Sequence, residues 1–137
     1  RERIVKTIKA VALVFALMLC GVGAYAQTVE FTPVVKGYPL DAPVDSARLA
    51  KCIKQALLKS NWIIDSIETG AIKAHFEKSG GVIRADIKVS YTKESYTISY
   101  IDSKNLDVDL EDGYIHRNYV RWVNNLNKNI YTRYLDE

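Results

Sequence analysis

Apolar side chains recur every third or fourth residue in two stretches of the chain, and at alternate residues between them. The first helical stretch places Leu49, Cys52, Ile53, Ala56 and Leu57 on one side and Lys51, Lys54, Gln55 and Lys59 on the other. That spacing predicts an amphipathic helix of about four turns. Asp45 or Ser46 supplies its N-cap, and Ser60-Asn61 ends it. The second, from about Ile115 to Leu135, aligns Ile115, Tyr119, Trp122, Val123, Leu126, Ile130 and Tyr134 in one stripe. Between the helices, Trp62 to Thr69 is rich in β-branched residues. Three alternating runs follow: Ile72, Ala74 and Phe76; then Ile83 to Tyr91; then Tyr96, Ile98 and Tyr100. Gly70, Ser79-Gly80-Gly81 and Thr92 to Ser95 are the turns between them.

Short turns imply antiparallel hairpins. The predicted fold class is therefore α+β: an antiparallel four-stranded meander with two helices packed on one face, since helical stripes and sheet need each other's apolar surface. The predicted order is signal peptide, arm, α, β, β, β, β, α. The arm, 27–44, holds Pro33, Pro39 and Pro43. It reads as extended and irregular, with Val29, Phe31 and Val35 able to lay one short strand along a sheet edge. The α+β domain itself is expected over 45–137.

Residues 1–26 carry the three-part pattern of a secretory leader. Arg1, Arg3, Lys6 and Lys9 precede the apolar run Ala10 to Leu19, and Ala24-Tyr25-Ala26 is an A-x-A cleavage site. The expected location is periplasmic. The apolar run is short for a spanning helix. Leu19 before Cys20 is bulky where a lipoprotein signal needs a small residue, so lipid anchoring is the lesser expectation, and membrane attachment requires an uncleaved or lipidated leader. The formal net charge is +3, and the leader supplies all of it, leaving 15 basic and 15 acidic residues beyond Ala26. A neutral domain lacks the basic field that nucleic acid requires. Cleavage would leave Cys52 as the one cysteine, at an apolar position of the first helix, where a buried small hydrophobe is expected.

The stretch Tyr96-x-Ile98-x-Tyr100-x-Asp102-Ser103-x-Asn105-Leu106 is followed by Gly113-x-Ile115-His116-x-Asn118-Tyr119-x-x-Trp122-Val123-x-x-Leu126-x-x-x-Ile130. Together they resemble an uncharacterised family of small bacterial envelope proteins, many of them lipoproteins, with the pattern Y-x-D-S-x-N-L and then I-H-x-x-Y-x-x-W-V-x-x-L. Gly70-x-Ile72-x-Ala74 is also similar, and the likeness covers most of 62–130. It implies an envelope location and brings no activity. The departure at Cys20 weakens the lipid anchor for this chain.

The same residues have a plain local reading. Asp102, Ser103 and Asn105 follow a strand and suit turns. His116, in the first turn of the last helix, can accept from a free backbone N–H or bond back to the Asp102 loop. Asp102, Ser103, Asn105, His116 and Asn118 are nonetheless the candidate recognition site, at a strand-to-helix junction. Ser103, His116 and Asp102 are the one conceivable catalytic set, without the elbow motif of a nucleophilic serine. His75 and His116 lie far apart on different elements, so no metal site is expected, and His75 reads as a solvated residue on the wet sheet face. The acidic run Asp107, Asp109, Glu111 and Asp112 ends in Gly113, whereas a calcium loop has its glycine in the middle. No cofactor signature is present. The leading expectation is a non-enzymatic binding domain for a protein or cell-wall component. The alternatives are a hydrolase-like enzyme using His116 with Asp102 or Ser103, and a carrier of a small apolar ligand between helices and sheet.

Overall fold

A computed structural model describes residues 27–136 of the chain. The leader, its cleavage site and Cys20 lie outside the described residues. The α+β class holds: two helices accompany two antiparallel sheets. The elements are β1 (Thr28–Glu30), β2 (Val34–Lys36), α1 (Ser46–Lys59), β3 (Ile63–Glu68), β4 (Ala71–Lys78), a 3-10 turn (Ser79–Gly81), β5 (Ile83–Tyr91), β6 (Tyr96–Lys104), β7 (Tyr114–His116) and α2 (Arg117–Asp136).

The main sheet has five strands in the order β2-β6-β5-β4-β3, not four. The arm supplies the fifth: Val34–Lys36 pairs antiparallel with Thr97–Ser99 and covers an edge of β6 that would otherwise expose unpaired backbone groups. Its other strand, β1, pairs with β7 in a separate two-stranded ribbon, Val29 opposite Ile115. Ile115 and His116 therefore belong to a strand, and the last helix starts at Arg117. Ile115 lies four residues before Tyr119, so helical periodicity alone absorbs it. Three-residue strands carry too little alternation to declare themselves.

Local chemistry agrees with the remaining boundaries. The Asp45 carboxylate accepts from the Ala47 N–H at 3.1 Å and caps α1. Asn61 takes the left-handed conformation at φ 68° just past its end. Alternate residues of the strands (Ile72 and Ala74, Ala85, Ile87 and Val89, Tyr96 and Ile98) join one buried cluster with Leu49, Ile53 and Leu57 of α1 and Tyr119, Trp122, Val123, Leu126 and Ile130 of α2. Cys52 is fully buried with them. The rings interlock: Phe76 stacks on Trp122 at 4.4 Å and meets Trp62 edge-on at 5.4 Å. Among the described residues no helix is long and apolar enough to cross a membrane.

Two buried phenols carry a pH prediction. Burial pushes the Tyr96 hydroxyl up to about 12 and raises that of Tyr119, chiefly by the same desolvation. A phenol that ionises more readily unfolded than folded leaves stability intact below the unfolded value near 10 and erodes it as pH rises through the folded one. Stability should therefore fall steeply between about pH 10 and 12, by up to about 1.4 kcal/mol per pH unit for each tyrosine. Urea unfolding midpoints at pH 9, 10.5 and 11.5 check this, and Tyr96→Phe should flatten the dependence.

Candidate functional site

Each residue nominated from sequence takes part in a hydrogen bond within the fold. The Asp102 carboxylate accepts from the Ser103 N–H at 2.8 Å. The Ser103 hydroxyl bonds the Tyr100 hydroxyl at 2.8 Å. Asn105 adopts a left-handed φ of 59° and donates its side-chain amide to the Val82 carbonyl at 2.7 Å. The Asn118 N–H donates to His116 Nδ1 at 3.0 Å, so the imidazole caps α2. The Asn118 side-chain oxygen accepts from Arg121. The five are not drawn around one point: Asp102 lies opposite Asp86 in the five-stranded sheet, whereas His116 lies opposite Thr28 in the two-stranded one. Asp102 and Ser103 alternate to opposite faces of β6.

A groove runs beside α2. One cleft, about 380 Å3, is lined by Lys59, Ser60, Asn61, Phe76, Trp122, Asn125, Lys128 and Asn129. Its apolar surface comes from the stacked Phe76 and Trp122 rings, and its polar surface from three asparagine amides, a serine and two lysines. Asn129 Nδ2 donates to Ser60 Oγ at 2.6 Å and fixes the end of α1 against α2. A second recess, about 540 Å3, shares Asn125 and Lys128 and continues past Arg117, Arg121 and Asn124 to Val29 and Glu30. Across both, the basic side chains Lys59, Arg117, Arg121 and Lys128 face one carboxylate, Glu30. The helical spacing of 117, 121, 124, 125 and 128 puts these residues on the polar side of the stripe that buries Trp122 and Leu126. The reading of the sequence missed this groove. The signal it contained was the polar series Arg121, Asn124, Asn125 and Lys128 opposite an apolar stripe, a pattern shared by any solvated helix face.

The opposite alternation of the sheet carries a charged recess. Pairing sets Ile63, His75, Asp86 and Asp102 side by side across β3, β4, β5 and β6. The pairing register shifts at Asp65 in β3 and at Ile101 in β6, the two strands flanking β4 and β5. Such bulges re-aim side chains, and the Asp65 carboxylate meets His75 Nδ1 with both oxygens at 2.8 Å. His75 Nε2 lies 3.3 Å from Glu77 Oε2. Arg84 holds Asp86 through Nη2 at 2.9 Å and Nε at 3.2 Å. That hydrogen bond is the main reason the Arg84 guanidinium is held charged more firmly than usual. His75 is only 8% exposed, so it is not the solvated residue its position in the alternation suggests. The recess, about 290 Å3, is lined by Asp65, Lys73, Ala74, Asp86, Ile87, Ile101 and Asp102.

Fold and grooves thus define a small α+β protein with ring-floored, amide-lined clefts on one side and a histidine–carboxylate cluster on the sheet. No family model, curated protein or solved structure matches the chain.

Proposed function

We propose that the protein is an exported, non-enzymatic binding module of the cell envelope that holds an acidic amino-sugar polymer of the cell wall in the groove beside α2. In this reading the two helices cover one face of the sheet, and the groove opens where α1 ends against α2. The observation that carries it is the lining of the 380 Å3 cleft: stacked Phe76 and Trp122 beneath Ser60, Asn61, Asn125 and Asn129, with Lys59 and Lys128 at hand. An aromatic surface accepts the apolar face of a sugar ring. Amides and a hydroxyl supply paired donors and acceptors for hydroxyl and acetamido groups. Lysine and arginine side chains along the extension match carboxylates. The volume lies within the range of ligand clefts.

Two other readings have less behind them. A hydrolase using His116 needs its ring beside Asp102 or Ser103, and that ring caps α2 from a different sheet. A carrier of an apolar ligand needs interior room, and the Trp62, Phe76 and Trp122 rings pack against one another there.

The test is co-sedimentation of the mature protein with purified cell-wall sacculi, and calorimetry with soluble wall fragments. The mature protein should bind, and more weakly as salt is raised, since the basic contacts are exposed. Arg121→Glu with Lys128→Glu, both at exposed positions, should weaken binding by about tenfold or more with unchanged thermal stability. Equal retention of wild type and double variant, or no retention of the wild type, would reject the groove.

A further inference from the structure

We propose that Asp65, His75 and Asp86 bind one divalent first-row transition-metal ion, with Asp102 as a fourth oxygen donor from the neighbouring strand. The potential ligand atoms of the three residues lie within 4.8 Å of one another. Zinc takes nitrogen and oxygen ligands at about 2.0–2.2 Å, which sets them about 3.3–3.6 Å apart, so the widest pair must close by about an ångström or more, with Asp65 drawn off the imidazole toward Asp86. Asp65 can make that move, because it is exposed and sits on a bulge outside the regular ladder.

The imidazole separates this cluster from an ordinary acidic surface. His75 is nine-tenths buried on a strand whose other residues facing the same way, Lys73 and Glu77, are exposed. Its two nitrogens have different neighbours. Nε2 points at the Glu77 carboxylate at 3.3 Å. A proton on Nε2 donated to Glu77 is the carboxylate–histidine arrangement that fixes the tautomer of a metal ligand and leaves the other nitrogen's lone pair free. That other nitrogen, Nδ1, converges with both Asp65 oxygens at 2.8 Å. A proton on Nδ1 donates to Asp65 there; with the proton on Nε2 instead, a metal ion can take that place. Arg84 grips Asp86 with two nitrogens and orients its carboxylate, as outer partners of a ligand do.

Charge points the same way. Asp65, Glu77, Asp86 and Asp102 lie around the imidazole, and Arg84 and Lys73 are the cations set against them, a formal balance of −2 among these side chains that one divalent ion neutralises. One imidazole with carboxylates suits zinc, manganese, iron or cobalt better than magnesium or calcium, which prefer oxygen alone. On binding, the ion takes the place of the proton between Nδ1 and Asp65, and the ring carries its one proton on Nε2 toward Glu77. The recess beside Asp65, Asp86 and Asp102 has room for the ion's remaining waters.

The experiment is calorimetric titration of chelator-treated mature protein with Zn2+ and Co2+, and with Mg2+ and Ca2+ as controls. Zinc and cobalt should bind at one equivalent, cobalt with a visible d–d absorption. Asp65→Asn should abolish saturable binding, and Glu77→Gln should weaken it by about 10–100-fold. Both positions are exposed, so circular dichroism should find the fold intact in each. His75→Gln should also abolish binding. If that variant misfolds, the two exposed variants decide. The site is overturned if zinc does not bind saturably at millimolar concentration, if Asp65→Asn binds it as well as wild type, or if magnesium competes equally. Sacculus binding by Asp65→Asn should be unchanged, so the two sites stand or fall separately.

Discussion

Trp122→Ala should lower folding stability by about 3–5 kcal/mol, the range for deleting a large buried aromatic side chain. The indole is 8% exposed, stacks on Phe76 at 4.4 Å, and through Phe76 reaches Trp62. Alanine leaves a cavity at the point where α2 meets β4, and the two remaining rings, Phe76 and Trp62, cannot collapse into it without repacking. Domains of this size are stable by about 5–15 kcal/mol in total, so a sizeable fraction of the variant would be unfolded at growth temperature. Urea unfolding monitored by far-ultraviolet circular dichroism measures the change. Trp122→Phe, which keeps a ring against Phe76, should recover more than half of it. A loss under about 1 kcal/mol would show that the indole is a surface group rather than core. The same burial sets a rule for the groove: lost ligand binding in Trp122→Ala reports on the fold, so the charge reversals at Arg121 and Lys128 are the informative variants.

Gly37→Ala should be the most damaging small substitution in the arm. A Cβ at this position would meet Tyr96 ring carbons at 2.3–2.5 Å. The ring cannot yield, because its hydroxyl donates to the Asn127 side-chain oxygen at 2.6 Å in a buried site and accepts from the Tyr38 N–H at 3.3 Å. The Gly37 backbone cannot retreat without giving up its own bond to the Tyr96 carbonyl at 2.8 Å. Overpacking of this kind costs about 1–3 kcal/mol. If Tyr96 is expelled instead, the orphaned Asn127 oxygen adds about 1–3 kcal/mol. Hydrogen exchange should speed up at the amides of Val34–Lys36 and at their partners in β6, while α1 stays protected. Tyr96→Phe should not rescue the variant, since the clash is with ring carbons, whereas Tyr96→Leu should cost less in the Gly37→Ala background than in wild type. An alanine variant with wild-type stability and exchange would show that β2 does not pack on Tyr96 as described.

The long periodic elements were legible because their side chains report one neighbour each. Leu49 to Leu57 and Tyr119 to Tyr134 bury a single stripe, and β4, β5 and β6 bury one face, so spacing alone states which way each residue points. The acidic loop after β6 was legible as a turn region: Asp109 accepts from the Asp112 N–H through its side chain and from the Gly113 N–H through its carbonyl. The role of His116 was half legible. Acceptance from a backbone N–H was one of the two local roles its position offered, while its place at the end of a strand was hidden, because β7 exists only through its pairing with β1. Neither three-residue strand has enough residues to show a period.

The amino-acid order by itself settled the α+β class, the two helical stripes, a helix start at Asp45 or Ser46 and the hairpin turns, all of which arise from neighbours within a few positions. Tertiary pairing alone decided that the arm closes one sheet and founds another. Pairing also brought Asp65 and Asp86 to the flanks of a buried His75, and set Ser60, Phe76 and Trp122 around one cleft. Alternation assigns a side chain to a face, but only register, and a bulge that shifts it, chooses which residue from the next strand stands beside it.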